Sequence, residues 1–174
     1  MVSSEESCGD KFFGVKLKEH KILNDYGIAK LVEDASGTKA LISNQKFEMG
    51  QVIAPFFARA TLQQPTYLTV QISDEKHILL GPEFLQYTNH SCDPNAFFDT
   101  TEMKLVALKE IKPNEEITFF YPSTEWKMDQ AFECLCGSPN CLKIIQGAYK
   151  LTKEQQVSYK LNNFIIRKIQ ESVI

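Results

Sequence analysis

Nowhere in the 174 residues is there an apolar run approaching the ~18 residues that a membrane-spanning helix needs. The opening Met1-Val2-Ser3-Ser4-Glu5-Glu6-Ser7 is polar and acidic and lacks the basic and apolar parts of a signal peptide. The sequence therefore predicts an intracellular protein, cytoplasmic or nuclear, with no membrane association. Positive charge is not in excess either. With 19 Lys and Arg against 22 Asp and Glu, the formal charge of -3 speaks against direct nucleic-acid binding, a role that leaves a basic footprint. A basic peptide suits such a surface better. Internal repeats and low-complexity stretches are also missing, and nothing in the sequence sets an oligomeric state. At 43% apolar, a chain of this length supports one well-buried core and is too short for two comfortable domains.

What is present is β-type. Short apolar runs at residues 27–32, 51–53, 67–72 and 77–80 are broken by Asp34-Ala35-Ser36-Gly37, Gly50, Ser73-Asp74 and Gly81-Pro82. Residues 104–108 and 117–121 continue the pattern across the turn Lys112-Pro113-Asn114, and Pro122 closes the second run. The tail changes period. Val157, Leu161, Ile165, Ile169 and Val173 recur at every fourth position with Phe164 and Ile166 beside them, which predicts one terminal amphipathic helix laid on the β core. The expected class is mostly β with minor α.

Five cysteines occur, and three of them form Cys134-Leu135-Cys136-Gly137-Ser138-Pro139-Asn140-Cys141, a C-x-C-x₄-C cluster in a turn-rich segment. Thiolates this close on a loop that can wrap point to a metal, and structural zinc wants four sulfur or nitrogen ligands. On spacing alone Cys92 leads for the fourth place, with Cys8 or a histidine behind it. An odd cysteine count with no signal peptide argues against a disulfide framework.

The most informative string is Tyr87-Thr88-Asn89-His90-Ser91-Cys92-Asp93-Pro94-Asn95-Ala96, followed by Asn114-Glu115-Glu116-Ile117-Thr118-Phe119-Phe120-Tyr121. The first resembles the NHSCDPN motif of the SET-domain family, the second its GEEIT-x-x-Y motif, and the cysteine cluster its post-SET C-x-C-x₄-C. Lys46-Phe47-Glu48-Met49-Gly50-Gln51-Val52-Ile53 resembles the family's GEVI strand, and Tyr26-Gly27-Ile28 the end of its Gly-x-Gly motif. Several motifs in the right order carry more weight than any one of them. The resemblance spans roughly residues 13–147.

That resemblance implies a fold of several small β-sheets around a knot-like crossing, with a post-SET zinc loop and a C-terminal amphipathic helix. It implies a leader at residues 1–11, a SET domain at 12–122, a post-SET segment at 123–147 and a helical extension at 148–174. The implied activity is S-adenosylmethionine-dependent methyl transfer to a lysine of a protein or peptide. A small-molecule amine as acceptor, or a SET fold that binds without turnover, are the alternatives. Asn89 and His90 would contact the cofactor, Gly27 and Ile28 would let backbone approach its methionine part, and Phe132 would cover its adenine. Cys92 would join Cys134, Cys136 and Cys141 on one structural zinc. Tyr121 matches the catalytic tyrosine, and Phe56, Tyr87 and Phe119 would line the substrate channel. A phenylalanine at position 119 favours more than one added methyl group. The sequence departs from the family pattern in reading Asp25-Tyr26-Gly27 for Gly-x-Gly, Phe56 for a tyrosine, Phe120 for the aspartate before the catalytic tyrosine, and Asn114 for a turn glycine. The substrate-selecting stretch between Ile53 and Gly81 is short.

Overall fold

A computed structural model describes residues 20–172, so the expected leader, Cys8 and Val173 lie outside the described residues. Four small sheets carry the fold. The first is an antiparallel meander of β1 (His20–Asp25), β2 (Ala29–Asp34) and β3 (Lys39–Ser43). A second joins β5 (Phe57–Leu62), β7 (Lys76–Gly81) and β6 (Thr69–Ser73) in that order. The largest has the order β4 (Val52–Pro55), β10 (Lys104–Ala107), β9 (Ala96–Asp99), β11 (Thr118–Phe119) and β8 (Asn89–His90). A two-stranded ladder of β12 (Phe132–Glu133) and β13 (Ile144–Ile145) follows. The inward faces of the first three sheets share one core around Leu41, Phe47, Ile78, Phe98, Leu105 and Ile117.

In the largest sheet β11 lies between β8 and β9 and runs parallel to both, although only residues 91–95 separate those two strands. That connection must therefore cross β11, which passes beneath it. Hydrogen bonds fix the crossing. Asn95 donates through Nδ2 to the Glu116 carbonyl (2.7 Å), and its Oδ1 accepts from the Thr118 amide (2.8 Å). The Ser91 amide donates to the Phe119 carbonyl at 3.0 Å. Such a threaded crossing is rare in protein topology, so only the motif resemblance could have anticipated it. Asn114, standing where a turn glycine was expected, adopts φ 67°, a left-handed conformation that asparagine tolerates.

The single terminal helix is not what forms. Helix α1 (Lys153–Ser158) stops, and α2 (Asn163–Glu171) starts five residues later. Tyr159 is extended at φ -109°, ψ 146°, its ring stacks on Phe120 with centroids 3.7 Å apart, and its hydroxyl donates to the Cys92 carbonyl (2.9 Å). These tertiary contacts outweigh the helical period. Leu161 and Ile165 are buried with Phe120, Ala148, Leu151 and Phe164 in a second core, and Ile169 packs against it, whereas Val157 is 85% exposed.

Candidate functional site

The crossing brings two strand ends together and aims their side chains to different sides. On one side His90 is buried and spends both ring nitrogens inside the protein. Its Nδ1 accepts from the Tyr121 amide (3.2 Å), so the ring proton sits on Nε2, which faces the Cys92 sulfur at 3.3 Å. Burial pushes its pKa down to about 3, which keeps the ring neutral.

Cys92 in turn lies beside the post-crossing loop. The Sγ atoms of Cys92, Cys134, Cys136 and Cys141 all lie within 4.8 Å of one another, and Cys92 and Cys134 are 3.8 Å apart. Four thiolates at ~2.3 Å around one tetrahedral ion would have sulfurs separated by about that distance. The Cys92 sulfur also faces two N–H groups, His90 Nε2 and the Leu142 amide (3.4 Å), as an anionic sulfur would require. The donor set therefore fits one metal ion, which would tie the loop to the strand that carries Asn89 and His90.

On the other side lies a cavity of about 330 Å³. Val70, Leu80, Leu85, Phe119 and Phe132 belong to its apolar wall, and Tyr121, Thr88, Glu125 and Asp129 are among its polar groups. Tyr121 opens a short 3₁₀ turn, Tyr121–Ser123, because Pro122 cannot extend β11. Its ring packs on Phe119 (4.7 Å), His90 (5.2 Å) and Phe132 (6.0 Å), and its hydroxyl donates to the Thr88 carbonyl at 3.4 Å. Burial, reinforced by Glu116 and Glu125, holds the phenol's pKa well above its ordinary value, so the hydroxyl stays protonated.

Between these sides stands Asn89. Its Nδ2 donates to the Lys39 carbonyl and to Glu116 Oε1, both at 2.8 Å, while its Oδ1 accepts no hydrogen bond from the described residues. The nearby β1–β2 turn is held by Asp25, whose carboxylate accepts from the Gly27 amide (2.9 Å) and from Asn44 Nδ2 (2.7 Å). Gly27 sits at φ +82°, and a Cβ there would meet no heavy atom within 4 Å. The turn thus presents bare backbone to open space, and Asp25 stabilises it with side-chain hydrogen bonds.

A family model described as the SET domain matches residues 18–122. The chain belongs to the SET-domain family. The Methyltransferase flvH of Aspergillus flavus is 42% identical over 99 residues, which are 56% of this chain and 55% of that protein. A histone-lysine N-methyltransferase, H3 lysine-36 specific, of Candida albicans is 40% identical over 68 residues, 36% of this chain and 8% of that protein. This SET chain thus spans about half the length of the first relative and a small part of the second. Among solved structures, KRYPTONITE in complex with mCHG DNA and SAH aligns with a TM-score of 0.51 at 23% identity, over 64% of this chain and 27% of that one. That likeness shows the SET fold, and with it the mostly β class and the crossing.

The structure gathers Asn89, His90, Phe119 and Tyr121 of the SET domain with Phe132 of the following segment around the crossing, and the four cysteines beside it. Gly27 and Ile28 stand at the β1–β2 turn, where the Ile28 carbonyl accepts from the Asn44 amide. Two expected channel residues lie elsewhere. Phe56 is buried in the main core with its ring edge-on to Phe98 (5.4 Å), and the Tyr87 ring lies beneath Lys39 Nζ (5.2 Å); neither lines the cavity. Sequence reasoning missed Glu125. Its signal was present: it is the one charged residue between Glu116 and Lys127.

Proposed function

We propose that this SET domain transfers a methyl group from S-adenosylmethionine to the side-chain amine of a lysine in a protein or peptide. The observation that carries the reading is the Tyr121 phenol, kept protonated by burial in the wall of an apolar cavity, while its backbone amide donates to the same histidine that reaches the cysteine cluster. Methyl transfer from a sulfonium needs an amine nitrogen aligned with the S–C bond, so positioning is the main catalytic resource. The Tyr121 hydroxyl orients the amine, and the walls built by Val70, Leu80, Leu85 and Phe119 exclude water from it.

Gly27, Ile28, Asn89, His90 and Phe132 form the cofactor side. The open Gly27 turn admits close approach, Asn89 Oδ1 offers an acceptor, and Phe132 offers an aromatic face beside Tyr121. With both ring nitrogens of His90 engaged, its contact to the cofactor falls to its backbone. When bound, S-adenosylmethionine supplies the electrophilic methyl. Cys92, Cys134, Cys136 and Cys141 hold one zinc, whose role is to fix the loop that positions Phe132. The chain boundaries proposed for these parts are 12–122 for the SET domain, 123–147 for the zinc segment and 148–174 for the helical extension.

A second reading, a small-molecule amine as acceptor, is supported by the short β5–β6 stretch beside the cavity. Tyr121→Phe tests both readings. It removes one oxygen and keeps the ring, so folding and S-adenosylmethionine affinity should stay near wild type while single-turnover transfer falls on the order of 10²-fold or more. Equal rates would make Tyr121 structural and end the catalytic reading.

A further inference from the structure

Glu125 is a buried acid that the motifs leave without a role. Its amide donates to the Tyr121 carbonyl (3.0 Å), which fixes it one turn beyond the phenol and in the wall of the same cavity. One carboxylate oxygen is fully used: Oε1 accepts from the Gln71 amide (2.8 Å) and from the Thr124 hydroxyl (3.1 Å). Those bonds pin the segment to β6 and explain a structural acid. They do not explain Oε2, which accepts no hydrogen bond from the described residues. Its nearest basic atom is His77 Nδ1 at 3.8 Å, beyond hydrogen-bonding distance.

No lysine, arginine or histidine lines the cavity, and its other ionisable wall residues are Tyr67, Tyr121 and Asp129. A carboxylate in an apolar wall is costly without a cationic partner. Burial accordingly pushes the Glu125 pKa up to about 7. The groups facing it are His77 from β7, Tyr121 from the 3₁₀ turn and Asp129 from the following segment. None of them is a standing cation, since burial also lowers the His77 pKa.

We propose that Glu125 is the docking point for the substrate's alkylammonium group, which binds to Oε2 inside the cavity beside Tyr121. The assignment rests on the methyltransferase reading for its substrate class. It also resolves a conflict within that reading, because the amine arrives protonated and must react neutral. Transfer of one proton from R–NH₃⁺ to Oε2 leaves R–NH₂ and a neutral carboxylic acid, with no change in the cavity's net charge. The nitrogen lone pair then forms the N–C bond as the C–S bond breaks and its electrons remain on sulfur. The carboxyl afterwards returns its proton to solvent.

The probe is n-butylammonium chloride, with n-butanol as its neutral counterpart, titrated calorimetrically into the full chain with and without S-adenosylhomocysteine. Wild type should prefer n-butylammonium, and Glu125→Gln should bind it roughly tenfold or more weakly with n-butanol affinity unchanged. Equal n-butylammonium affinity in the two proteins, or no preference in wild type, would overturn the assignment. A second series needs no variant. Lowering the pH from 8 to 6 protonates Oε2, so wild-type affinity for n-butylammonium should fall while that for n-butanol holds; a flat response overturns the proposal. Failure of wild type to bind S-adenosylhomocysteine would count against the methyltransferase reading and leave the n-butylammonium comparison standing. A lysine-centred pentapeptide binding more tightly than n-butylammonium would assign the alkylammonium to a polypeptide, the reverse order to a free amine. Either order supports the docking point.

Discussion

Asn162 shows how much one polar side chain can decide here. It is 3% exposed and uses its whole amide. Nδ2 donates to the carbonyls of Phe98 and Ser123, both at 2.9 Å, and Oδ1 accepts from the Thr100 amide and hydroxyl, also at 2.9 Å. Those partners belong to β9, to the turn after Tyr121 and to the loop before β10, so the residue ties α2 to the back of the crossing. Asn162→Ala removes four hydrogen bonds at once, two of them to buried carbonyls and two to half-buried Thr100. A loss of at least about 2 kcal/mol is expected from chemical denaturation, because each buried group left unpaired costs ~1–3 kcal/mol. A midpoint unchanged from wild type would mean that water replaces the amide at no cost. This role was not legible beforehand, since an asparagine inside an apolar period of four reads as the polar face of a helix.

At the scale of elements, the zinc proposal makes the order of the cysteine loop depend on an ion. Residues 134–141 contain no strand or helix, and Leu135 is 79% exposed, so the described contacts of the loop run through its cysteines and the β12–β13 ladder. Freshly purified, reduced protein is expected to contain one zinc per chain by elemental analysis. Chelation should make this loop protease-sensitive while the main core persists, since metal binding in small zinc modules is worth ~10 kcal/mol or more. Metal-free protein with an equally protected loop would refute the zinc assignment. This loop and the Asn89–His90 strand were legible because their chemistry fixes residue spacing. The helix break at Tyr159 was not, because it depends on a stacking partner 39 residues away, and neither were the positions of Phe56 and Tyr87. Both of those aromatics fit a channel by type, and only their packing against Phe98 and Lys39 sets them apart from the cavity.

At the scale of the whole molecule, the buried acids contribute a pH dependence opposite to that of the surface carboxylates. Asp25, Asp34, Asp74 and Glu110 have pKa values lowered by hydrogen bonds or lysine partners, so their contribution is present above about pH 4 and is lost below it. Glu116 and Glu125 behave the other way. Burial raises each to about 7, so the folded state binds more protons than the unfolded chain between about pH 4.5 and 7, and stability falls as pH rises through that window. His77 and His90 oppose them, because burial lowers both imidazole pKa values, His90 to about 3, and this makes stability rise with pH up to about 6.5. Loss of metal from protonated thiols adds a further acid effect. The Glu125→Gln variant isolates one term, because glutamine mimics the protonated acid and leaves the other groups in place. At pH 5.5 the variant and wild type should unfold at similar denaturant concentrations. By pH 8.5 wild type carries a buried charge that the variant lacks, so the variant should be the more stable by roughly 1–3 kcal/mol. Saturating n-butylammonium should narrow that gap by giving the charge its partner. A stability difference that does not change between pH 5.5 and 8.5 would mean that Glu125 titrates like a solvated carboxylate.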